Sequence, residues 1–243
     1  MRFQFWQKKS TVSDSQLTES DRKFWGPLPK VVAWAASRIA PNAKVLEVGP
    51  GSQPFVRATT FVDWLAQGAV SDDRLVRLDF QRHPLPFADK AFDFVYCRHV
   101  LEDLYDPFHL CEEMSRVAKT GYIEVPSPAS EICRGIDAGS PRWRGYHHHR
   151  YFVWNHGGVL HFLTKYPVVE YLDFGSDREI VQSMRQHPLL WNAYLPWEGE
   201  IKYKYLQHDI DYQITRNYRE FVAAAASQSI AETRRFASSL GLA

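Results

Sequence analysis

The chain has 243 residues, of which 45% are hydrophobic, and a formal net charge of +1. This length suits one α/β domain with additions, and the near-neutral charge gives no global electrostatic case for binding nucleic acid or an anionic membrane. Three cysteines without CxxC spacing argue against a disulfide framework or a cysteine zinc site. The absence of a long apolar stretch predicts no signal peptide, no membrane span and a cytoplasmic location.

The sequence pattern divides the chain into three segments. Residues 1–25 are a polar N-terminal segment, and residues 26–175 are predicted to form an α/β domain. Residues 176–243 are predicted to form a helical C-terminal extension that packs on the same domain. One domain with a helical tail is therefore the simplest organisation.

Helical and strand patterns alternate along the α/β segment. Residues 27–39 place their apolar side chains on one helical face, and Val45–Val48 follows as a short buried strand. Asp106 and Pro107 open a second helix as its N-cap acid and its first-turn proline. Further short strands are predicted at residues 60–63, 74–79, 92–97 and 121–125. The alternation predicts a doubly wound, mostly parallel sheet, with an unusually short connection between the first two strands.

The pattern changes after the fifth predicted strand. Residues 129–155 are irregular and rich in arginine, histidine and aromatic residues. Residues 159–163 and 168–172 are predicted to form a closing antiparallel pair, and the chain is mainly helical from Asp177 onward. The amphipathic helix at 210–240 could pack on the domain or on a second subunit, so a homo-oligomer stays open.

A glycine turn and two acids mark the predicted ligand site. Glu47, Gly49 and Gly51 follow the first strand as E-x-G-x-G, and Asp63 and Asp79 end the second and third strands. Ligands of a doubly wound sheet bind outside the carboxyl ends of its strands, where glycines allow close approach of the backbone. An acid after the second strand can accept ribose hydroxyls, and one after the third can accept an adenine amino group. The pattern predicts a nucleotide-like ligand.

With these residues the chain resembles the class I S-adenosylmethionine-dependent methyltransferases, in the methyltransferase type 11-like subgroup. The matching segments are VLEVGPGSQPF (45–55), FVD (61–63), LDF (78–80), LPFADKAFDFVYCRHVLEDLYDP (85–107) and GYIEVPSP (121–128). The resemblance implies a Rossmann-like sheet of the seven-stranded type, S-adenosylmethionine as cofactor and methyl transfer as activity.

The resemblance also implies roles for individual residues. Residues 47–51, called the glycine loop below, would frame the methionine end of the cofactor, and Asp63 would hold the ribose. Asp79 and Phe80 would contact the adenine, and His99 would lie beside the cofactor after the fourth strand. Dinucleotide binding fits less well, because the chain lacks G-x-G-x-x-G and a pyrophosphate cradle at a helix N-terminus.

A histidine run supplies the candidate catalytic groups. If the run is extended, His147 and His149 lie on the same side of the chain, where either could act as a general base, with His99 as a third candidate. With Asp137 these two histidines could instead hold a divalent metal. The spacing is not distinctive, so no metal site is predicted; packing at a pocket mouth is the plainer alternative.

The acceptor is the least defined part of the prediction. The cationic side chains of Arg142, Arg144 and Arg150 suit an anionic acceptor, although ordinary surface arginines explain them equally well. The predicted function is methyl transfer to a small-molecule or glycan-like acceptor, with oxygen favoured as the methylated atom. The alternative is an inactive methyltransferase-like scaffold, supported by Gln53 near the place where a third glycine is usual. Glu102 and Asp103 are expected to cap and orient a loop.

Overall fold

The computed structural model describes residues 26–64, 70, 72–137, 140–206 and 214–241. The predicted polar segment 1–25 lies outside these residues. The boundaries at residues 26 and 176 remain predictions.

Nine strands occur in the described part of the chain. In chain order they are β1 (Val45–Val48), β2 (Thr60–Asp63), β3 (Leu75–Arg77), β4 (Phe92–Arg98), β5 (Ala118–Pro126), β6 (Tyr151–His156), β7 (Val159–Thr164), β8 (Asn192–Glu198) and β9 (Tyr203–Tyr205). Six of them form the main sheet in the order β3-β2-β1-β4-β5-β8. The first five are parallel and β8 is antiparallel to β5, where the family resemblance implies a seven-stranded type.

Helices cover both faces of this sheet. They are α1 (Pro29–Ser37), α2 (Pro107–Val117), α3 (Pro128–Glu131), α4 (Asp177–Gln186) and α5 (Ile214–Ser239). Successive residues of β4 belong to separate apolar clusters on the two faces of the sheet. Phe94 lies in the same cluster as Val31 of α1, and Val95 lies in the same cluster as Met114 of α2. The predicted doubly wound fold with a C-terminal helix is therefore confirmed. None of the described helices combines the length and apolar character needed to cross a bilayer.

The N-terminus of α2 is built as its sequence predicts. The carboxylate of Asp106 accepts hydrogen bonds from the backbone N–H groups of Phe108 and His109, at 3.1 and 3.2 Å. Pro107 occupies the first turn, where the missing N–H would have no partner in the helix. This cap fixes where the loop after β4 ends, and that loop forms one wall of the site described below.

The predicted pairing of residues 159–163 with 168–172 is wrong. β7 pairs instead with β6 in antiparallel register, and with β9 in parallel, as a separate three-stranded sheet. Pro167–Tyr171 forms a 3₁₀ turn, in which proline takes an early position. Proline fixes its own φ and lacks an N–H for a ladder, so the apolar run after it is not sufficient for a strand.

The segment after Asp177 is helical only in part. α4 and α5 are helices as predicted, but β8 and β9 were not expected from the sequence. β8 contains Pro196, which argues against a central strand. β8 lies at the edge of the sheet, and an edge strand tolerates proline because only one side of its backbone must pair.

Candidate active site

The site lies at the carboxyl edge of the parallel strands. β1, β2 and β4 end there side by side, at Val48, Asp63 and Arg98. The loops after these strands carry most of the predicted cofactor residues. Parallel α/β sheets bind ligands at this edge, so the topology brings the predicted residues to the expected place.

The glycine loop is held on one side and open on the other. Gly49 has φ +67°, its N–H donates to the carbonyl of Val62 at 2.9 Å, and a Cβ there would lie 2.5 Å from Val100 Cγ2. Gly51 has φ +53°, and a Cβ there would meet no atom within 4 Å. The loop therefore rests against β2 and the loop after β4, and leaves its second glycine facing open space. No helix occurs between β1 and β2, as the short connection predicts.

Glu47 is buried and holds the segment that follows the glycine loop. Its carboxylate is 2% exposed and accepts a hydrogen bond from the backbone N–H of Phe55 at 2.7 Å. The Phe55 ring stacks on Tyr96, with ring centroids 4.2 Å apart. Burial raises the pKa of Glu47 to about 8. In this conformation Glu47 anchors the segment after the glycine loop, and its predicted contact with the cofactor remains a prediction.

We expect Glu47→Gln to stabilise the protein increasingly as the pH rises. The folded-state pKa of about 8 lies above the ordinary value of 4.5, so the Glu47 contribution to stability is complete below pH 4.5 and is lost as the pH rises through 8. Glutamine cannot ionise and can still accept from Phe55. Urea unfolding at about pH 5 and about pH 9 should show a gain that grows with pH, with an upper limit of about 5 kcal/mol. A gain independent of pH would contradict the burial argument.

The other predicted cofactor residues end β2 and follow β3. Asp63 is half-buried beside the register partner Arg77, and it is close enough to Glu47 to contribute to that residue's raised pKa. Asp79 accepts from the N–H of Gln81 at 3.1 Å and lies 3.5 Å from Arg82 Nε. Phe80 is 7% exposed and belongs to the apolar core. Both acids lie at the ligand edge; the ribose and adenine contacts remain predictions.

His99 begins the loop after β4 in a strained conformation. Its φ is +53°, which a non-glycine residue adopts rarely, and its N–H donates to the carbonyl of Glu124 at 2.9 Å. Its Nε2 lies 3.1 Å from the amide oxygen of Asn192. Burial, with the nearby charge of Arg98, holds the pKa of His99 well below 6.5. A neutral imidazole that donates from Nε2 to Asn192 accounts for this geometry.

A buried carboxylate connects three strands under His99. Glu124 on β5 is 1% exposed and accepts from Arg98 Nε at 3.0 Å, from Asn192 Nδ2 at 2.6 Å and from the Tyr122 hydroxyl at 2.7 Å. Arg98 supplies the compensating charge from β4, and Asn192 reaches in from β8. Asn192 was not predicted, because no sequence pattern relates it to a histidine 93 residues earlier.

His149 lies on a second buried carboxylate. Its Nδ1 is 2.6 Å from Oε1 of Glu131, at the end of α3, and Lys165 forms an ion pair with the other oxygen of Glu131. Although burial opposes ionisation of Glu131, Lys165 and His149 lower its pKa to about 2. Burial alone would lower the pKa of His149, but Glu131 outweighs it and the pKa is raised. Glu131 and Lys165 were not predicted from the sequence, since they lie 18 and 16 residues from His149 without a motif.

The other face of His149 meets the loop after β4. Its Nε2 lies 3.8 Å from Asp103 Oδ1, and Nε2 of His148 lies 3.6 Å from the same oxygen. The backbone carbonyls of Glu102 and Asp103 accept from Arg150, at 2.7 and 3.1 Å. These contacts use the backbone of Glu102 and Asp103, so the expected capping role of their carboxylates remains a prediction; the Asp103 carboxylate borders the histidine run.

The structure separates His147 from His149. His147 is 60% exposed, and its Nδ1 lies 2.8 Å from Asp137, which also accepts from the indole N–H of Trp143 at 3.0 Å. The run turns after Gly145, whose φ is +56°, so the two histidines do not alternate along an extended strand. They contact different carboxylates, and a catalytic role for His147 remains a prediction.

Two of the three arginines proposed to bind an anionic acceptor serve the fold. Arg144 donates to the carbonyls of Ile132 and Leu172 and pairs with Asp177 at 2.8 Å. The guanidinium of Arg150 stacks on the Tyr105 ring at 3.4 Å. The prediction of an anionic acceptor is therefore less well supported by the structure than by the sequence alone.

Comparison with known proteins supports the resemblance over part of the chain. A family model described as methyltransferase domain matches residues 46–123, which span the glycine loop, β2 to β4, α2 and most of β5. Residues 46–123 are thus similar to methyltransferase domains, which agrees with the resemblance to the class I S-adenosylmethionine-dependent methyltransferases. The match supports S-adenosylmethionine as the cofactor and agrees with the predicted enzyme class, and the activity of the whole protein is a proposal.

Individual relatives match only part of this chain. The 27-O-demethylrifamycin SV methyltransferase of Amycolatopsis mediterranei is 24% identical over 165 residues, which are 58% of this chain and 56% of the relative. Among solved structures, a possible histamine N-methyltransferase from Thermotoga maritima is 21% identical with a TM-score of 0.33, over 44% of this chain and 53% of its own. A complex of the Haloferax volcanii Trm112 activator with a putative methyltransferase gives 17% identity and a TM-score of 0.41, over 78% of this chain and 93% of the other. The chain thus spans about half the length of the first two relatives, and neither TM-score bears on acceptor or partner.

Proposed function

We propose that this protein transfers a methyl group from S-adenosylmethionine to a hydroxyl oxygen of a small-molecule or glycan-like acceptor. The observation that carries the proposal is the His149–Glu131 pair. His149 faces Asp103 in the loop after β4, and Val100 of the same loop lies against Gly49 of the glycine loop. The named rifamycin relative methylates an oxygen, which agrees with this choice at low identity. A cytoplasmic location and a homo-oligomer are kept as proposals from the sequence alone.

The residues of the chain have few chemical tasks in this reaction. When bound, the cofactor supplies a methyl group already activated on a sulfonium, so alignment contributes most of the catalysis. The glycine loop, Asp63 and Asp79 would hold the cofactor, and the open space over Gly51 fits a ligand at this edge. As the carbon–oxygen bond forms and the carbon–sulfur bond breaks, the hydroxyl proton must leave.

His149 is the group proposed to take that proton. Glu131 accepts from Nδ1–H, which leaves the lone pair of the neutral imidazole on Nε2. Glu131 stays ionised beside Lys165, so it can stabilise the imidazolium that forms. His99 keeps a neutral ring on Asn192 and would border the cofactor, and His147 would meet an acceptor only at the surface.

Cofactor binding is tested first, by calorimetric titration with S-adenosylmethionine and its demethylated product. We expect Asp63→Asn to weaken binding by about tenfold or more, because a charge-assisted hydrogen bond contributes about 1.5–3 kcal/mol. Asp89→Asn is the matched control, since Asp89 is 78% exposed and pairs with Arg116 in the turn before β4. If the unmodified protein binds neither compound at about millimolar concentration, the proposed function fails.

The methylated atom is tested separately. Paired acceptors that differ only in a hydroxyl or an amine, supplied with isotopically labelled cofactor, distinguish oxygen from nitrogen transfer by mass spectrometry. The base proposed on His149 is needed by a hydroxyl and not by a neutral amine. We therefore expect His149→Gln to suppress methylation of the hydroxyl member more strongly than methylation of the amine member.

A further inference from the structure

We infer that Asp103, His148 and His149 form a binding site for one divalent transition-metal ion such as Zn²⁺. One atom of each residue faces a common point, and all three atoms lie within 4.8 Å of one another. Asp103 Oδ1 is 3.6 Å from His148 Nε2 and 3.8 Å from His149 Nε2. With ligand bonds of about 2.0–2.2 Å, the ligand atoms of a tetrahedral zinc ion lie about 3.4 Å apart, so the two distances from Asp103 need to change by only a few tenths of an ångström. The two histidine nitrogens lie within 4.8 Å of each other and need to approach to the same spacing.

The observed distances suit ligands better than hydrogen bonds. Both separations exceed the range of a nitrogen–oxygen hydrogen bond, which ends near 3.2 Å. Two imidazole nitrogens and one carboxylate oxygen are a ligand set that zinc accepts, with a fourth position left for water. The half-exposed side chain of His148 provides a route for the ion from solvent.

His149 has the support that a metal-binding histidine requires. Its Nδ1 lies on Glu131 at 2.6 Å, which directs the Nε2 lone pair toward Asp103. A carboxylate on the far nitrogen fixes the tautomer and the ring orientation of a ligating histidine. Lys165 in turn holds Glu131 in place, so the ring of His149 is set before any ion arrives.

Unpartnered carboxylate oxygens supply a second and independent indication. Asp103 Oδ1 and both side-chain oxygens of Glu102 are inaccessible to solvent and have no hydrogen-bond partner. Glu102 is only 1% exposed and adjoins Asp103 in the chain. Buried oxygens without partners are costly, and a divalent cation bound between Asp103 and the histidines would give Asp103 Oδ1 the partner that it lacks.

A neighbouring group of possible ligands is less suitable. Asp137, His147 and His148 also lie within reach of one another. The Asp137 oxygen facing His147 is already bonded to that ring at 2.8 Å and to the Trp143 indole at 3.0 Å. An ion there would have to displace formed hydrogen bonds, whereas the three residues of the inferred site make none with one another. From the sequence, His147, His149 and Asp137 were candidate ligands of one ion, and no metal site was predicted. In the structure, His149 belongs to one group of possible ligands, and His147 and Asp137 belong to the other.

Metal binding has a consequence for the proposed reaction. An ion on Nε2 of His149 uses the lone pair that would take the acceptor proton, so the metal-bound form lacks its base. This consequence rests on the proposed function, but the binding site itself does not.

The test is titration of the full chain with ZnCl₂ alone, after chelator treatment and without cofactor or acceptor. Calorimetry should give one equivalent, and Co²⁺ in place of Zn²⁺ should give the visible absorption of a four-coordinate ion. We expect His148→Ala and Asp103→Asn each to weaken binding by at least about tenfold, because changes around metal sites cost about 10–100-fold even outside the ligand set. Circular dichroism verifies that each variant is folded.

His147→Ala is the matched control, because His147 is an exposed histidine of the same run that belongs to the other group. It should leave Zn²⁺ affinity within about twofold of the unmodified protein. The inference is overturned if no Zn²⁺ binds at about 0.1 mM, or if His147→Ala weakens binding as much as His148→Ala does. Because no cofactor is present, failure here leaves the proposed methyl transfer untouched.

Discussion

Replacing Lys165 with Met should lower the free energy of unfolding by about 3–5 kcal/mol near neutral pH. Lys165 is 6% exposed and pairs with Glu131, which is 1% exposed. Its ammonium also donates to the carbonyls of Arg144 and Tyr146, at 2.9 and 2.8 Å. Methionine keeps the volume but leaves a buried carboxylate with His149 as its main cation. Urea unfolding followed by tryptophan fluorescence measures the loss.

The charge argument is separated from packing by a double variant and by pH. Glu131→Gln combined with Lys165→Met removes both charges, so it should be clearly more stable than Lys165→Met alone. The pKa of Glu131, about 2, lies below its ordinary 4.5, so its contribution is present above pH 4.5 and is lost as the pH falls toward 2. The loss in Lys165→Met should therefore shrink over that range. A loss unchanged in the double variant and at low pH would mean that packing alone is responsible.

Gly49→Ala should destabilise the fold and abolish tight cofactor binding. The added Cβ would lie 2.5 Å from Val100 Cγ2, and alanine would have to adopt φ +67°. Strain from the left-handed backbone and from overpacking together suggest about 2–4 kcal/mol. Relieving the clash moves the glycine loop away from the loop that contains His99. Thermal unfolding and calorimetric titration with S-adenosylmethionine measure the two effects.

Gly51→Ala provides the matched control, because its φ is also positive but its Cβ would meet no atom within 4 Å. Only the backbone strain remains, which is about 1–2 kcal/mol. If the cofactor occupies the open side of this loop, Gly51→Ala should still weaken binding by about tenfold or more. Equal destabilisation by the two variants would show that contact with Val100 does not matter, and unchanged affinity of Gly51→Ala would place the cofactor elsewhere.

The first five strands and their mostly parallel arrangement were predictable, because they follow from local sequence pattern. Short apolar runs predicted β1 to β4, three of them with an acid at or near the carboxyl end, and the Asp106–Pro107 pair predicted the start of α2. β8 was missed, because Pro196 is compatible with a strand only at a sheet edge, and edge position is not a local property. The partner of β7 was missed for a similar reason: the apolar run after Pro167 has the composition of a strand but not its backbone hydrogen bonds.

The positions of the candidate residues were predictable where these residues follow strand ends and unpredictable where they depend on distant partners, whereas their roles remain predictions. Gly49, Gly51, Asp63 and Asp79 follow directly from the turns after β1, β2 and β3. The orientation and the raised pKa of His149 depend on Glu131, which Lys165 holds in place. Glu131 belongs to α3, and Lys165 belongs to the turn after β7. Pairs of this kind have no spacing rule, since tertiary packing and not chain distance brings them together.

The late position of β8 has a consequence for how the nascent chain matures on the ribosome. Until Asn192–Glu198 has been synthesised, β5 forms an outer edge with unpaired backbone groups along the side that β8 later covers. The same strand delivers Asn192 to His99 and Glu124. The glycine loop does not depend on β8. His99 and Glu124, in contrast, gain their contact with Asn192 only after the long-range pairing of β8 with β5, and such pairing is intrinsically slow. Until then the uncovered edge of β5 is open to pairing with other chains.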